Sequence, residues 1–261
     1  MKITVPIAAV ALATALVLTG CSTGSLPGSS SGSGSGSSSK SGGSGGGSSG
    51  SGSSGSGPTL NLTDNDLVAI LTKVQASRNL GGTIETGAEL KAKAGSNPSE
   101  SLTQSFAAAG GSFVPASCGT LFDKLESVAE SANNATGFTS AALEGTSDIV
   151  SVGTATNSTL ADSILSNTKS IMSQMVSQCS NLVMKVGTTS IGFKITDVSA
   201  TTDGTSTTAF EEDITASTEN IKTLTIQAQY GNLYIGDVSI TNPNESEMEA
   251  NINAVIAAAK G

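Results

Sequence analysis

The chain has 261 residues and a formal net charge of −9, with no histidine and only 3% aromatic side chains. This charge, with no Lys/Arg cluster to offset it, argues against nucleic acid as a ligand because the phosphates would be repelled. Without histidine, Ser-His-Asp and Cys-His catalysis and histidine metal sites are excluded, and we expect no cofactor and no bound metal.

The amino-terminal residues predict a secretion signal. Lys2 is followed by an uncharged, mainly apolar stretch that is too short for a membrane span with its own flanks. The run Leu-Thr-Gly-Cys at residues 18–21 is similar to the lipobox of bacterial lipoproteins, in which the cysteine receives a diacylglyceryl group and becomes the mature amino terminus. We therefore expect residues 1–20 to be a signal peptide and Cys21 to anchor the protein, through its lipid, outside the cytoplasm on the bacterial cell membrane. The alternative is an ordinary secreted protein in which Cys21 carries no lipid.

Residues 21–58 predict a disordered tether. Between Ser25 and Gly57 only three residues are neither serine nor glycine, so the segment has too little apolar surface to offset the entropy of ordering it. A Gly/Ser coil of this length has a root-mean-square span of roughly 35 Å. Such a span would carry a folded domain clear of a lipid surface.

Residues 59–261 are long enough for one domain with its own core. Thr63 and Asp66 have the spacing of a capping box and precede an apolar stripe, which predicts an opening helix. The secondary structure of residues 80–115 is ambiguous from the sequence. We expect a strand over residues 83–92 and a short helix over residues 100–109.

Two cysteines lie in this domain, Cys118 near the start of one amphipathic helix and Cys179 at the end of another. Both lie on the apolar face of their helix. In an oxidising compartment, two core-facing cysteines on packed helices predict a disulfide. Buried free thiols and a redox-active pair are the alternatives, and the lack of C-x-x-C spacing disfavours the second.

Strand patterns dominate the rest of the domain. Six strands are predicted, the last four as two hairpins, over residues 138–143, 148–156, 182–186, 190–198, 222–230 and 233–240. In the second hairpin apolar and polar side chains alternate, which fits an antiparallel sheet with one solvent-exposed face. A final helix is predicted to begin near Asn242 or Asn244. Together these elements predict a single α+β domain, an antiparallel sheet with helices packed on one face.

Two short motifs accompany these elements: Pro-x-x-Cys at residues 115–118, which opens a helix, and Tyr-Gly-Asn-Leu-Tyr-Ile at residues 230–235. Together with these motifs, the order of the elements resembles that of the PknH-like extracellular sensor domains of actinobacteria. Such domains occur on receptor serine/threonine kinases and as free-standing lipoproteins. The resemblance implies an α+β domain with a concave cleft that binds an extracellular molecule, and it carries over no catalytic residue. Those domains generally have two disulfides and a tryptophan, whereas this chain has one possible disulfide and no tryptophan.

Two kinds of pattern remain as candidates for chemistry. Ser166 and Lys169 match the S-x-x-K pattern of penicillin-recognising enzymes, but the S-D-N and K-T-G partners of that site are missing. The acidic runs at residues 64–66 and 211–213 offer oxygen ligands for Ca²⁺, but neither completes a ligand loop. A capped helix start and a solvated loop are the favoured alternatives, and we expect that the protein is not an enzyme.

Binding is the stronger hypothesis. Tyr230 and Tyr234 flank a predicted turn and Phe193 lies on the neighbouring hairpin, so these three are candidates to line a ligand pocket. Core packing is the alternative and is favoured. The prediction is a membrane-anchored lipoprotein whose domain binds an extracellular small molecule, lipid, glycan or peptide. The alternative is a structural or assembly factor of the cell envelope that contacts another protein through the sheet. A cleft of several hundred Å³ with convergent polar groups would favour the first, and a flat apolar patch the second.

Overall fold

The computed structural model describes residues 57–261, apart from 94–101, 109, 136, 146, 157, 217–218 and 241. The predicted signal peptide and nearly all of the predicted tether, including Cys21, lie outside the described residues. Within this part of the chain the strands are β1 (Thr83–Thr86), β2 (Gly111–Val114), β3 (Phe138–Glu144), β4 (Asp148–Ala155), β5 (Asn181–Val186), β6 (Thr189–Val198), β7 (Ser206–Ala216), β8 (Glu219–Tyr230) and β9 (Leu233–Ile240). The helices are α1 (Asp64–Arg78), α2 (Gly87–Lys93), α3 (Leu102–Ala108), α4 (Ser117–Asn134), α5 (Ser158–Gln178) and α6 (Glu245–Lys260).

All of these strands join one antiparallel sheet in the order β1-β3-β4-β9-β8-β7-β6-β5-β2. The predicted α+β class and single antiparallel sheet are therefore confirmed. None of the helices in the described ranges is long and apolar enough to cross a membrane.

Two apolar cores lie on opposite faces of the sheet. We call the face that carries Ile226 and Ile235 face A, and the face that carries Phe193 and Phe210 face B. Helices α1 and α6 cover face A over β3, β4, β9 and β8. Helices α4 and α5 cover face B over β5, β6 and β7. The expectation that the helices pack on one face is thus corrected, because strands such as β7 carry apolar side chains on both faces, Ala209 on face A and Phe210 on face B.

The polar side of β8 is buried rather than exposed to solvent. Thr223, Thr225 and Gln227 lie on face B and are 1%, 1% and 6% exposed. Helix α5 contacts both β4 and β6, so it crosses the strands that lie between them in the sheet. The predicted solvent-exposed face of this hairpin is therefore a polar layer inside the fold.

Strand β7 is the largest element that the sequence patterns do not predict. The acidic run at residues 211–213, expected in a solvated loop, lies in this strand instead. Its carboxylates alternate between faces, so that Glu212 is buried on face B while Glu211 and Asp213 lie on face A beside Lys222. In this strand Glu211 and Asp213 pair with Lys222, and Glu212 accepts a hydrogen bond from Thr223. A single sequence does not reveal these cross-strand partners.

Local signals at the helix ends are borne out. Thr63 and Asp66 form the predicted capping box at the start of α1, and Asn244 caps α6 with its side chain. The acidic run at residues 64–66 is therefore a capped helix start. The region after α1 differs from the prediction, because β1 ends at Thr86 and α2 follows at once where a longer strand is expected.

The predicted disulfide between Cys118 and Cys179 is confirmed. The two Cα atoms are 5.8 Å apart and both residues are fully buried. The bond ties the start of α4 to the end of α5, so it joins the two helices that cover face B. It closes a loop with a sequence separation of 61 residues, for which chain entropy predicts a stabilisation of roughly 4 kcal/mol.

The first described residues are fixed to the turn between β8 and β9. The Asn232 side chain accepts a hydrogen bond from the Leu60 N–H at 2.6 Å and donates to the Leu60 carbonyl at 2.9 Å. It also donates to the Ala155 carbonyl at 2.8 Å. Gly231 has a φ of +62°, and a Cβ at this position would overlap the backbone of Pro58. The chain therefore enters the domain at the end of the β8–β9 hairpin.

Candidate functional site

An open groove lies on face A, beyond the helices that cover the other half of that face. It crosses β5, β6, β7 and the start of β8, and its volume is about 610 Å³. The residues that line it are 181–183, 192–194, 213, 215 and 220–222. We refer to this surface as the groove.

Strand pairing sets the side chains of the groove in two parallel rows. One row runs across four neighbouring strands through Asn181, Lys194, Asp213 and Lys222. The other row runs beside it through Val183, Gly192, Thr215 and Asn220. Because adjacent strands are about 4.8 Å apart, each row is roughly 14 Å long.

Gly192 leaves the floor of the groove open. A Cβ built at this position would have the Thr215 carbonyl oxygen, at 4.0 Å, as its nearest neighbour outside the adjacent residues. Its φ is not positive, so the backbone does not require glycine. By contrast, a Cβ at Gly153 in β4 would lie 3.0 Å from the ring of Phe138. A glycine inside a strand weakens the strand and is often found where a ligand or another backbone approaches closely. At Gly192 no other part of the described chain fills that space.

The two lysines of the groove are in different electrostatic states. Lys222 lies 2.7 Å from Glu211 and 3.6 Å from Asp213, and its hydrogen bond to Glu211 is the main cause of the raised pKa of its amine. Lys194 is exposed and forms no ion pair with any residue that the structure describes. The groove thus holds one neutralised lysine and one lysine whose charge is open to solvent.

The three aromatic candidates do not come together. Phe193 is 3% exposed and packs in the face B core, so it borders the groove from β6 while its ring belongs to the opposite face. Tyr234 is 2% exposed on face B, and Tyr230 is half-buried on face A at the far end of β8. The Tyr230 ring lies 5.0 Å from the Lys260 amine. Neither tyrosine lines the groove.

The S-x-x-K pair shows no catalytic geometry. Ser166 and Lys169 are both exposed on α5. The Ser166 hydroxyl donates a hydrogen bond to the Ser163 carbonyl of its own helix at 3.2 Å, and no hydrogen bond joins it to Lys169. Across the described residues, no group of three or more acidic or cysteine side chains is arranged to hold a metal ion.

Of the three buried carboxylates among the described residues, Asp237 and Glu212 have a pKa raised by burial, and both lie outside the groove, on opposite faces of the sheet. On face A, the Asn251 amide donates to Asp237 at 2.9 Å, and Arg78 donates to the Asn251 oxygen at 3.0 Å. Burial raises the pKa of Asp237 to about 7, and the nearby charge of Asp148 contributes. On face B, burial raises the pKa of Glu212 to about 7 although the Thr223 hydroxyl donates to it at 3.3 Å. Both carboxylates pack between the sheet and a helix layer, so they belong to the interior of the fold rather than to the groove.

Of the polar side chains of the groove, the sequence patterns single out only Asp213, as part of the acidic run at residues 211–213. The other local signal is Gly192, an isolated glycine within the predicted strand at residues 190–198. The rows themselves depend on the pairing of four strands, of which β7 is not predicted. The groove becomes visible only when the register of that strand is known.

No protein-family model matches the chain, and no curated protein is similar to it in sequence. Among solved structures, it is similar to the extracellular domain of PknH from Mycobacterium tuberculosis, with a TM-score of 0.47 and 10% identity over 78% of this chain and 99% of that chain. It is also similar to the Rv0999 ortholog from Mycobacterium smegmatis, with a TM-score of 0.33 and 13% identity over 58% of this chain and 77% of that one. At these values neither likeness supports the transfer of a function.

Proposed function

We propose that the chain is an extracytoplasmic lipoprotein, anchored through Cys21, whose folded domain binds a ligand in the groove and performs no chemistry of its own. The observation that carries the binding role is Gly192. Its missing side chain opens a polar groove on a surface where neither the backbone conformation nor the packing demands glycine. Polar groups from four strands converge there, as expected of a ligand site rather than a flat apolar contact surface.

The position of the groove would leave it clear of the predicted tether. The chain enters the domain at the β8–β9 turn, where Asn232 holds Leu60. The groove meets β8 near Ile221, at the opposite end of that strand. Tyr230 lies nine residues further along β8 than Ile221, a distance of roughly 30 Å. A tether that joins the domain at its β8–β9 end would therefore not obstruct the groove.

The disulfide supports a location outside the cytoplasm. Cys118 and Cys179 are bonded and fully buried in the face B core. Structural disulfides form and persist in oxidising compartments and are rare in the cytosol. This agrees with the export signal predicted at residues 1–20.

The side chains of the groove support binding rather than catalysis. The single carboxylate among the lining residues, Asp213, lies 3.6 Å from the Lys222 amine, and the lining includes no serine or cysteine. A hydrolytic site needs an activated nucleophile or a second acid–base group within hydrogen-bond reach. The S-x-x-K pair lies on α5, outside the groove, and the Ser166 hydroxyl donates to the Ser163 carbonyl rather than to Lys169.

The test is to fill the groove without disturbing the fold. In Gly192→Phe the ring would enter the open space, and we expect the variant to remain folded because nothing lies within 4 Å of the new Cβ except the Thr215 oxygen. The matched control is Thr196→Phe, which places the same ring on the same face of β6, at an exposed position outside the groove. The chain from Ser22 onward, with its disulfide formed, would be screened by thermal shift against envelope lipids, glycans and peptides.

A ligand of the groove should raise the melting temperature of the wild type and of Thr196→Phe, and should fail to do so for Gly192→Phe. If every stabilising compound acts equally on Gly192→Phe and the wild type, the groove is not the binding site. If no compound class stabilises the wild type, the ligand-binding function itself is contradicted.

A further inference from the structure

We propose that the groove binds a short polar ligand that carries a single carboxylate, which is seated on Lys194. This inference rests on the proposed function, since it names the class of ligand for the same site. The sequence alone does not point to this class.

The position of Lys194 carries the charge argument. Its cross-strand neighbours in the groove are Asn181 on one side and Asp213 on the other. Asp213 is engaged by Lys222, which also binds Glu211. Both Asp213 and Glu211 are therefore paired with Lys222. The amine of Lys194 has no ionic partner among the described residues. An anionic group of a ligand can bind there without displacing an existing ion pair.

The neighbouring groups favour a carboxylate with polar substituents. Asn181 and Asn220 offer amides that can both donate and accept hydrogen bonds, and Thr215 offers a hydroxyl. Side chains alternate between the two faces of each strand, which places those of Leu182, Phe193 and Ile221 on face B. Val183 is therefore the one apolar lining residue whose side chain is on the groove face. Lipid tails and flat aromatic ligands would therefore gain little from burial here.

The dimensions and net charge limit the size and charge of the ligand. A row of roughly 14 Å matches about four residues of extended peptide. The formal net charge of the chain is −9, so a polyanion would be repelled by the rest of the surface. A single carboxylate on Lys194 avoids most of this repulsion, because charges beyond about 8 Å are largely screened at physiological ionic strength.

The experiment is an NMR titration of the ¹⁵N-labelled chain from Ser22 onward with two matched pairs of probes. N-acetylglycine is compared with its neutral amide, N-acetylglycinamide, and glucuronic acid is compared with glucose. In each pair the acid supplies the carboxylate and the partner keeps the other polar groups. The first pair represents a peptide source of the carboxylate and the second a sugar source.

We expect at least one acid to shift the backbone amides of residues 192–195 and 213–215 saturably, with at least fivefold higher affinity than its neutral partner. Lys194→Gln should remove this preference. Lys185→Gln is the matched control, since Lys185 is exposed on the same face of β5 outside the groove, and it should leave the preference unchanged. The acid with the higher affinity identifies the source.

Three outcomes would overturn the proposal. Equal shifts of the groove amides by an acid and its neutral partner would reject the carboxylate but keep the groove as a binding site, provided that Gly192→Phe abolishes them. A preference for the acids that survives in Lys194→Gln would place the carboxylate elsewhere. The absence of groove shifts with all four probes would contradict the carboxylate, and the screen with Gly192→Phe would then decide separately whether the groove binds other ligands.

Discussion

The buried carboxylate of Asp237 should make the domain less stable as the pH rises. Asp237 is fully buried on face A, where the Asn251 amide donates to one carboxylate oxygen and the other has no hydrogen-bond partner. Burial raises its pKa from 3.8 to about 7. The folded protein therefore holds a proton at this carboxyl over a pH range in which the unfolded chain has released it.

The sign and size of the effect follow from proton linkage. Where the folded state binds more protons than the unfolded state, the free energy of unfolding falls as the pH rises. Below a pH of about 4 both states are protonated and the group has no effect, and above about 7 the full penalty applies. The difference between the two pKa values corresponds to an upper limit of roughly 4 kcal/mol, of which about 3 kcal/mol is lost between pH 5 and pH 8. Glu212 acts in the same direction, because burial raises its pKa to about 7 as well.

The perturbation is Asp237→Asn, which keeps the shape of the side chain and an oxygen to accept from Asn251 but cannot ionise. Urea unfolding of the wild type, Asp237→Asn and the exposed control Asp197→Asn would be measured from pH 5 to pH 8. We expect the free energy of unfolding of Asp237→Asn to fall by about 3 kcal/mol less than that of the wild type over this range. Asp197→Asn should follow the wild type. Parallel curves for the wild type and Asp237→Asn would refute the reasoning, since they would mean that ionisation of Asp237 carries no cost in the folded state.

Two predictions concern the cysteines. Cys21→Ala should abolish the diacylglyceryl mass on the amino-terminal peptide and release the protein from the membrane fraction into the medium; equal release of wild type and variant would contradict the lipid anchor. Replacing both Cys118 and Cys179 by alanine should lower the free energy of unfolding by up to roughly 4 kcal/mol in urea, and full alkylation of both thiols in the untreated wild type would contradict the bond.

Local sequence signals predict the elements whose stability is itself local. The capping box of Thr63 and Asp66 and the alternation along β8 and β9 depend on neighbours within a few residues, and both elements form as predicted. The cysteine pair is likewise confirmed, because each residue lies on an apolar helix stripe that must face the core. These features can be predicted from local sequence patterns, without knowing which distant strands pair.

The errors arise where a strand is covered on both faces. Strand β7 lies inside the sheet, between β8 and β6. It contributes Ala209 to the core on face A, and Phe210 and Ile214 to the core on face B. Its apolar and acidic residues therefore follow no simple alternation. The polar side chains of β8 resemble those of a solvent-exposed face, yet α5 covers them. The groove escapes prediction for the same reason, since Lys194 and Asp213 become neighbours only through the pairing of β6 with β7.

The architecture explains why part of the sheet is not covered by helices. The nine strands of the described residues, at about 4.8 Å spacing, make a sheet roughly 38 Å wide, whereas two helices side by side cover about 20 Å. The pair formed by α1 and α6 therefore leaves about half of face A without a helix layer. On face A the pair formed by α1 and α6 lies toward β3 and β9, and the groove occupies strands beyond it. If the groove binds a ligand as proposed, substitutions there, such as Lys194→Gln, would alter binding without removing a core contact, because Lys194 is exposed.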